Sequence, residues 1–215
     1  MSFELIPGTR FDLLRFSAVD LSFSDRIRSG MTSEHEGVTF FVKAVHSSTV
    51  DSLVEGYRYD KQKQISGTLN ISRTPENSSL QDSVRFVIRT ESKLLLVGTG
   101  DNPLLLEWCL DFFSTFVGVD PDYAPVDRRK VKDIVERTKV FQVEVETPRG
   151  ARNIEKLGGF KGDPLLSYDL ASAMLMVEFM GQFEVDLTLE SIVIDPTATP
   201  MQKEYALQLV EQYML

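Results

Sequence analysis

The stretch from Ser83 to Gly118 constrains the fold of this 215-residue chain more than any other segment. Every second residue at its start is apolar, Glu91-Ser92 marks a reversal, and four apolar residues follow at Leu94–Val97. Alternation around a short polar reversal predicts an antiparallel hairpin. The next segment, Leu104–Val117, is apolar on nearly every side and predicts a buried helix. This sheet and this helix are expected to build the core.

Other parts of the chain show comparable signals. Predicted strands, which alternate in polarity or are rich in β-forming residues, are Phe11–Phe23, Gly37–His46, Lys63–Thr74, Lys139–Glu146, Ala173–Met180 and Gln182–Ile194. A short helix with a turn at Gly56 is predicted within Ser47–Tyr59, and a second helix at Arg128–Arg137. A third begins at Pro200, where Thr199–Gln202 is typical of a capping box. The sequence therefore predicts an α+β fold: a mainly antiparallel, curved sheet with helices packed largely on one face.

Domain organisation is predicted from residues that interrupt regular secondary structure. Residues 1–215 are expected to form a single compact α+β domain, with sub-modules 1–120 and 125–215 joined at Asp120–Pro125, where two prolines interrupt regular structure. Each sub-module contains a strand, a turn that ends in proline and a helix. This shared order of elements suggests two pseudo-repeated ββα modules, although the sequence identity between them is too low to establish a duplication.

Charge is distributed unevenly along the chain. The net charge of −9 argues against a protein whose whole surface meets nucleic acid or anionic lipid. Residues 128–161 nevertheless contain 10 Lys and Arg against 5 Asp and Glu, whereas residues 162–215 contain 1 against 9. A basic region therefore lies between acidic flanks. The acidic residues that alternate along Gln182–Glu190 predict a solvated strand face, which also suits a basic partner or the basic region of another copy.

The basic region supplies the candidate binding residues. Eight of its side chains lie on the predicted helix or in the glycine-containing connection Thr147–Asp169: Arg128, Arg129, Lys130, Lys132, Arg149, Arg152, Lys156 and Lys161. A basic helix with a basic loop can contact a phosphate backbone, because glycines let main-chain N–H groups approach it closely. The same pattern suits a partner-protein surface or a region that meets only solvent. The sequence leaves these three interpretations open.

No cofactor site is predicted. Gly98-Thr99-Gly100 stands between a strand and a helix, where a dinucleotide-binding fold holds a pyrophosphate. However, Pro103 occupies the position of the third glycine, and the preceding strand belongs to an antiparallel hairpin. The segment is therefore expected to be a glycine turn that leads into a helix capped by Asn102.

No metal site or catalytic cluster is predicted either. Glu107 and Asp111 lie four residues apart, a spacing that suits acid–base chemistry, but they are expected to form the polar edge of an otherwise apolar helix. The two histidines, His35 and His46, have no cysteine or histidine cluster nearby in the sequence, which argues against zinc. Cys109 lies inside the apolar helix and is expected to be buried and unreactive.

These observations favour a non-enzymatic binding or assembly protein that acts through charged surfaces. A protein partner or self-association is the first expectation, and nucleic acid bound by the basic region is the alternative partner. A second class of function is an enzyme or small anionic-ligand binder, with its site between the 147–169 loop and the sheet. In that class the anion would be held by Arg149, Arg152 or Lys161, and the acid or base would be Asp163 or Asp169.

The sequence contains no run of eighteen apolar residues, and its first residues lack the basic and apolar segments of a secretory signal. A cytoplasmic protein without a membrane partner is therefore expected.

Overall fold

The computed structural model describes residues 10–18, 23–73, 80–100, 102–123, 139–147, 150–155, 169–188 and 190–214. The chain divides into two compact units. The N-terminal unit consists of residues 11–51 and 59–123, and the C-terminal unit consists of residues 1–10, 52–58 and 124–215. The predicted single domain, with sub-modules that meet at Asp120–Pro125, stays a prediction.

Antiparallel sheet dominates the N-terminal unit, as the alternation of its sequence predicted. Its strands are β1 (Arg10–Ala18), β2 (Thr32–His35), β3 (Val38–Asp51), β4 (Lys61–Arg73), β5 (Leu80–Arg89), β6 (Leu94–Gly98) and β7 (Val119–Tyr123). Its helices are α1 (Phe23–Arg26) and α2 (Pro103–Phe112), which continues as a π-helix over Phe113–Val117. The strands pair in the order β2-β3-β4-β5-β6-β1, and β7 also pairs with β1.

A buried core joins this sheet to α2. All four side chains of Leu94–Val97 are fully buried, as their apolar run predicted. The rings of Phe40 and Phe86 contact those of Phe112 and Phe113 respectively, with centroids 5.4 Å apart in both pairs. The predicted hairpin and the predicted buried helix are therefore confirmed.

A polar side chain and a glycine set the ends of this helical segment. Asn102 Oδ1 accepts hydrogen bonds from the Leu104 and Leu105 N–H groups at 3.1 and 3.3 Å, which confirms the predicted cap. Pro103 follows as the first helical residue, where an N–H group would have no helical partner. The segment ends at Gly118, whose φ of 79° is rarely adopted by a residue with a side chain.

The short helix predicted within Ser47–Tyr59 is wrong. β3 continues to Asp51 and pairs with β4 up to that residue. Thr49 and Val50 are β-branched, so they favour an extended chain over a helix. The predicted turn at Gly56 is present, and the φ of Gly56 is 71°.

Antiparallel strands also dominate the C-terminal unit. Its elements are β8 (Lys139–Thr147), β9 (Gly150–Glu155), β10 (Asp169–Glu178), β11 (Gln182–Thr188), β12 (Ser191–Ile194) and α3 (Pro200–Met214). The strands pair in the order β9-β8-β10-β11-β12. The start of α3 is a capping box, as predicted: the Gln202 N–H donates to Thr199 Oγ1 at 3.3 Å, and the Thr199 N–H donates to Gln202 Oε1 at 2.8 Å.

Two predictions in this unit are wrong. The connection predicted over Thr147–Asp169 contains a strand, β9, because residues 150–155 form a ladder with β8. The strand predicted over Gln182–Ile194 is two strands. The chain reverses between Thr188 and Ser191, where Thr188 Oγ1 accepts a hydrogen bond from the Ser191 N–H at 3.0 Å.

The predicted helix Arg128–Arg137 lies outside the described residues. Within the described ranges, no helix is long and apolar enough to cross a membrane.

Candidate functional site

The structure describes one of the eight predicted binding residues, Arg152. The other seven lie outside the described residues: Arg128, Arg129, Lys130, Lys132, Arg149, Lys156 and Lys161. Arg152 is exposed on β9, the edge strand of the described sheet, and lies opposite the buried Val145 on β8. Arg152 therefore occupies the core side of the sheet, at its margin.

The alternative catalytic site would combine a basic residue of the 147–169 loop with Asp163 or Asp169. Asp163 lies outside the described residues. Asp169 pairs with Glu146 on β8, whereas Arg152 pairs with the adjacent residue, Val145. Because successive strand residues face opposite sides, the register places positions 152 and 169 on different faces of the sheet.

The C-terminal sheet has one buried face and one open face. Along β11, Phe183, Val185 and Leu187 are buried, whereas the residues between them point to the other side. We call that side the outer face. Its described side chains include Gln142, Glu144, Ala151, Asn153, Glu155, Ser172, Met174, Met176, Glu178, Gln182, Glu184, Asp186, Thr188 and Val193. All of them are exposed or half-buried.

Two methionines occupy the middle of the outer face. Met174 lies on β10 opposite Asp186 on β11, and Met176 lies opposite Glu184. Both side chains are half-buried, so each presents part of its apolar surface to solvent between carboxylates. A sheet face that contacts only water carries mostly polar side chains. Two adjacent apolar side chains on such a face are therefore unusual.

Carboxylates from three strands surround the methionines: Glu144 on β8, Glu178 on β10, and Glu184 and Asp186 on β11. Burial raises the pKa of Asp186, and the Arg10 guanidinium and the Leu187 N–H offset only part of that effect. The charged form of Asp186 is therefore less favoured in the fold than in water, and a positively charged group brought close to it would favour that form.

The sequence predicts only part of this face. The acidic alternation along β11 is visible in the sequence, but the position of Glu144 depends on the pairing of β8 with β10. That of Glu155 depends on the pairing of β8 with β9, a strand that the sequence did not predict. The methionines lie in a strand whose residues are nearly all apolar, so its own sequence does not distinguish its two faces. Their facing could have been inferred only from the register with β11.

A shallow depression of about 150 Å³ in the N-terminal unit contains the predicted carboxylate pair. Glu107 is exposed and Asp111 half-buried, and Arg73, His35 and Glu36 line the same depression. Cationic and anionic groups are mixed there, so it selects no sign of charge in a ligand. Among the described residues, no three His, Cys, Asp or Glu side chains are arranged to hold a metal ion.

The glycine turn before α2 is tied to the sheet of its own unit. Thr99 Oγ1 donates a hydrogen bond of 2.5 Å to Asp12 Oδ2, and both side chains are buried. Cys109 is fully buried, as predicted, and burial together with the nearby Asp12 charge raises the pKa of its thiol far above the usual range. A thiol so rarely ionised is a poor nucleophile.

No protein-family model matches the chain, and a search of curated proteins finds no significant match. The geometry of the outer face is therefore the basis for a functional proposal.

Proposed function

We propose that this chain is a protein-binding module whose outer face takes a basic, amphipathic segment of a partner protein. The observation that supports it is the pair of partly exposed methionines, Met174 and Met176, placed between carboxylates on the outer face of the sheet. The proposal keeps the non-enzymatic binding function that the sequence favours, but it transfers the contact from the basic region to the acidic face.

The chemistry of the face selects the partner. Methionine side chains are flexible and polarisable, so they adapt to apolar side chains of different shapes. Glu184 and Asp186 attract Lys and Arg and repel phosphate groups, which disfavours nucleic acid at this face. A segment that carries both apolar and basic side chains satisfies both sets of groups at once.

A direct test measures binding of a fluorescent peptide that carries leucine and lysine at helical spacing. Replacing Glu184→Gln and Asp186→Asn removes two carboxylates and should weaken binding roughly three- to tenfold, because an exposed ion pair contributes little individually. Met174→Gln with Met176→Gln should weaken it about tenfold through the loss of apolar contact.

The matched control changes the same number of charges elsewhere. Glu107→Gln with Asp111→Asn removes two carboxylates from α2 in the N-terminal unit and should leave peptide affinity unchanged within about twofold. Equal losses in this control and in the outer-face variant would show that net charge alone attracts the peptide. A leucine–glutamate peptide that binds as well as the leucine–lysine peptide would also contradict the proposal.

The eight basic residues of the 128–161 region remain candidates for contact with nucleic acid or a protein partner. A gel-shift series with single- and double-stranded DNA and RNA tests this, comparing the wild type with Arg128→Ala/Arg129→Ala/Lys130→Ala. Binding that weakens with salt and with the triple change supports the nucleic-acid partner. Binding that is absent, or insensitive to the triple change, removes it.

The finer architecture and the location also remain proposals. We retain the α+β arrangement with helices largely on one face, the two pseudo-repeated ββα modules, and a cytoplasmic location. The enzyme or anionic-ligand alternative has no support from the described residues of the 147–169 loop, because positions 152 and 169 lie on different faces of the sheet.

A further inference from the structure

The hairpin of β10 and β11 ends in a tightly held turn at residues 179–181. The Phe179 N–H donates a hydrogen bond to the Gly181 carbonyl at 2.9 Å, which closes the turn. The turn is also fixed to the start of α3, because Gln202 Nε2 donates to the Phe179 carbonyl at 3.1 Å. The rings of Phe179 and Tyr205 stack, with centroids 4.2 Å apart and planes inclined by 6°. These contacts hold the backbone of the tip in one conformation.

Met180 lies at the centre of this turn in a conformation that does not suit it. Its φ is 52°, in the left-handed region that glycine, asparagine and aspartate adopt most readily. A methionine there costs free energy, because its Cβ atom comes close to the carbonyl oxygen that follows. Its side chain is 70% exposed, more than any other large apolar side chain that the structure describes. Neither the shape of the turn nor burial in the core therefore accounts for a methionine at this position.

The tip continues the outer face in the direction of the strand. Met174, Met176 and Glu178 occupy successive outer positions of β10, and Met180 follows two residues later. The chain has seven methionines, and three of them lie in this one segment. Methionine side chains adapt to apolar groups of different shapes, so they suit a surface that binds a partner. The tip and the outer face share the same chemistry, methionine beside carboxylates, and therefore suit the same kind of partner.

We propose that Met180 is a second apolar contact for the partner of the outer face, so that one basic, amphipathic segment covers Met174 and Met176 and then the tip of the hairpin. This inference rests on the proposed function of the outer face. Six residues separate Met174 from Met180, which corresponds to at most about 20 Å of extended chain. A helix covers that distance in about 13 residues. The partner segment is therefore expected to carry apolar side chains over nearly four helical turns, with basic side chains that meet Glu178 and Glu184.

The first test measures the affinity of a fluorescent leucine–lysine peptide of about 18 residues, which is long enough to reach both contacts as a helix. Met180→Asn removes the apolar side chain and introduces a residue that suits the left-handed region. It should weaken binding about fivefold. Met180→Leu keeps an apolar side chain and should stay within about twofold of the wild type. An unchanged affinity in Met180→Asn, or an equal loss in Met180→Leu, would overturn the proposal.

The variant Met174→Gln/Met176→Gln separates this inference from the function on which it rests. If that variant loses affinity while Met180→Asn does not, the outer face binds the peptide and only the contact at the tip is wrong. A wild-type chain that does not bind the peptide would overturn both.

The second test locates the contact on the peptide. Two further peptides carry glutamine in place of the leucines of the first or of the last turn. Met180→Asn should cost one of them less than about twofold in affinity, because the leucine that would lie over the tip is already absent. The other should lose about fivefold, as the parent peptide does. Equal losses for both peptides would overturn the proposal, since Met180 would then contact neither end.

Stability distinguishes a binding role of Met180 from a structural one. Met180→Asn should leave the midpoint of urea denaturation unchanged or raise it, because asparagine tolerates the left-handed conformation of the turn. A lower midpoint would identify Met180 as a residue that stabilises the fold and would overturn the proposal.

Discussion

At the scale of one residue, Asp186 on the outer face is a charged side chain that the fold itself does not stabilise. Burial raises its pKa, so the charged carboxylate is less favoured in the folded protein than in water. Arg10 attracts the charged form but does not reverse the preference. A cation supplied by a partner would stabilise the charge that the fold disfavours. In the proposed complex, the carboxylate of Asp186 would therefore contribute more to binding than it contributes to the stability of the fold.

Asp186→Asn is accordingly expected to raise stability at neutral pH while it weakens binding of a basic peptide. An Asp with a raised folded-state pKa loses stability as the pH rises from its unfolded value of about 4 through the folded value. The midpoint of urea denaturation should therefore be higher for the variant at pH 7. The two proteins should converge near pH 3, where Asp186 is protonated in both the folded and the unfolded states.

Glu184→Gln provides the comparison, since Glu184 is exposed on the same strand. Its stability should stay within about 0.5 kcal/mol of the wild type at both pH values. Lower stability of Asp186→Asn at pH 7 would mean that the attraction of Arg10 outweighs the effect of burial, which would contradict this account of the residue.

Arg89 marks a limit of prediction at the same scale. The alternation of β5 places it on the polar side of the strand, yet its side chain is fully buried. Its Nη1 donates to Gln64 Oε1 at 2.9 Å, and Gln64 lies directly opposite it on β4. The alternation of polar and apolar residues in a strand shows on which face a side chain lies. It does not show whether other parts of the protein bury that face.

At the scale of elements, β4 depends on a glycine in its interior. Gly67 lies opposite Phe86, and a Cβ atom at this position would overlap the Phe86 ring and the Ala44 carbonyl oxygen. Phe86 is buried and packs against Phe113, so the ring has little room to move. The glycine therefore allows the sheet to hold a large aromatic side chain in the core.

Gly67→Ala should destabilise the protein by about 1–3 kcal/mol, as expected when a packed core receives an extra methyl group. Chemical denaturation measures the change in the free energy of unfolding. Ser66→Ala, on the opposite face of β4, is the control and should change this free energy only slightly. The double variant Gly67→Ala/Phe86→Leu should lose less stability than the sum of its single changes, because the smaller side chain relieves the overlap. Strict additivity would contradict the proposed contact.

Elements with strong local signals could be predicted from the sequence. The hairpin of β5 and β6, the Asn102 cap and the capping box at Thr199 follow from neighbouring residues alone. β9 could not be predicted in this way, because its exposed residues show little alternation and the ladder with β8 defines it. The candidate site was only partly predictable for the same reason. The acidic alternation of β11 is visible within one strand, whereas the extent of the outer face depends on the register of five strands.

At the scale of the whole molecule, charge and apolar contact would act at different stages of the proposed binding. The net charge of −9, to which the carboxylates of the outer face contribute, would attract a basic partner over a distance set by the ionic strength. The methionine pair would act only after contact, when the partner covers its partly exposed surface. The electrostatic attraction of the negative charge should therefore control the association rate, whereas the methionines should control the dissociation rate.

Kinetics of the leucine–lysine peptide separate these contributions. Raising the salt concentration from about 50 to about 500 mM should lower the association rate roughly tenfold and change the dissociation rate much less, because screening acts on the approach of charges. Met174→Gln/Met176→Gln should raise the dissociation rate about tenfold at either salt concentration. Stopped-flow fluorescence measures both rates. If the methionine variant instead slowed association and left dissociation unchanged, the apolar centre would not be part of the bound interface, and the outer face would act only as a region of negative charge.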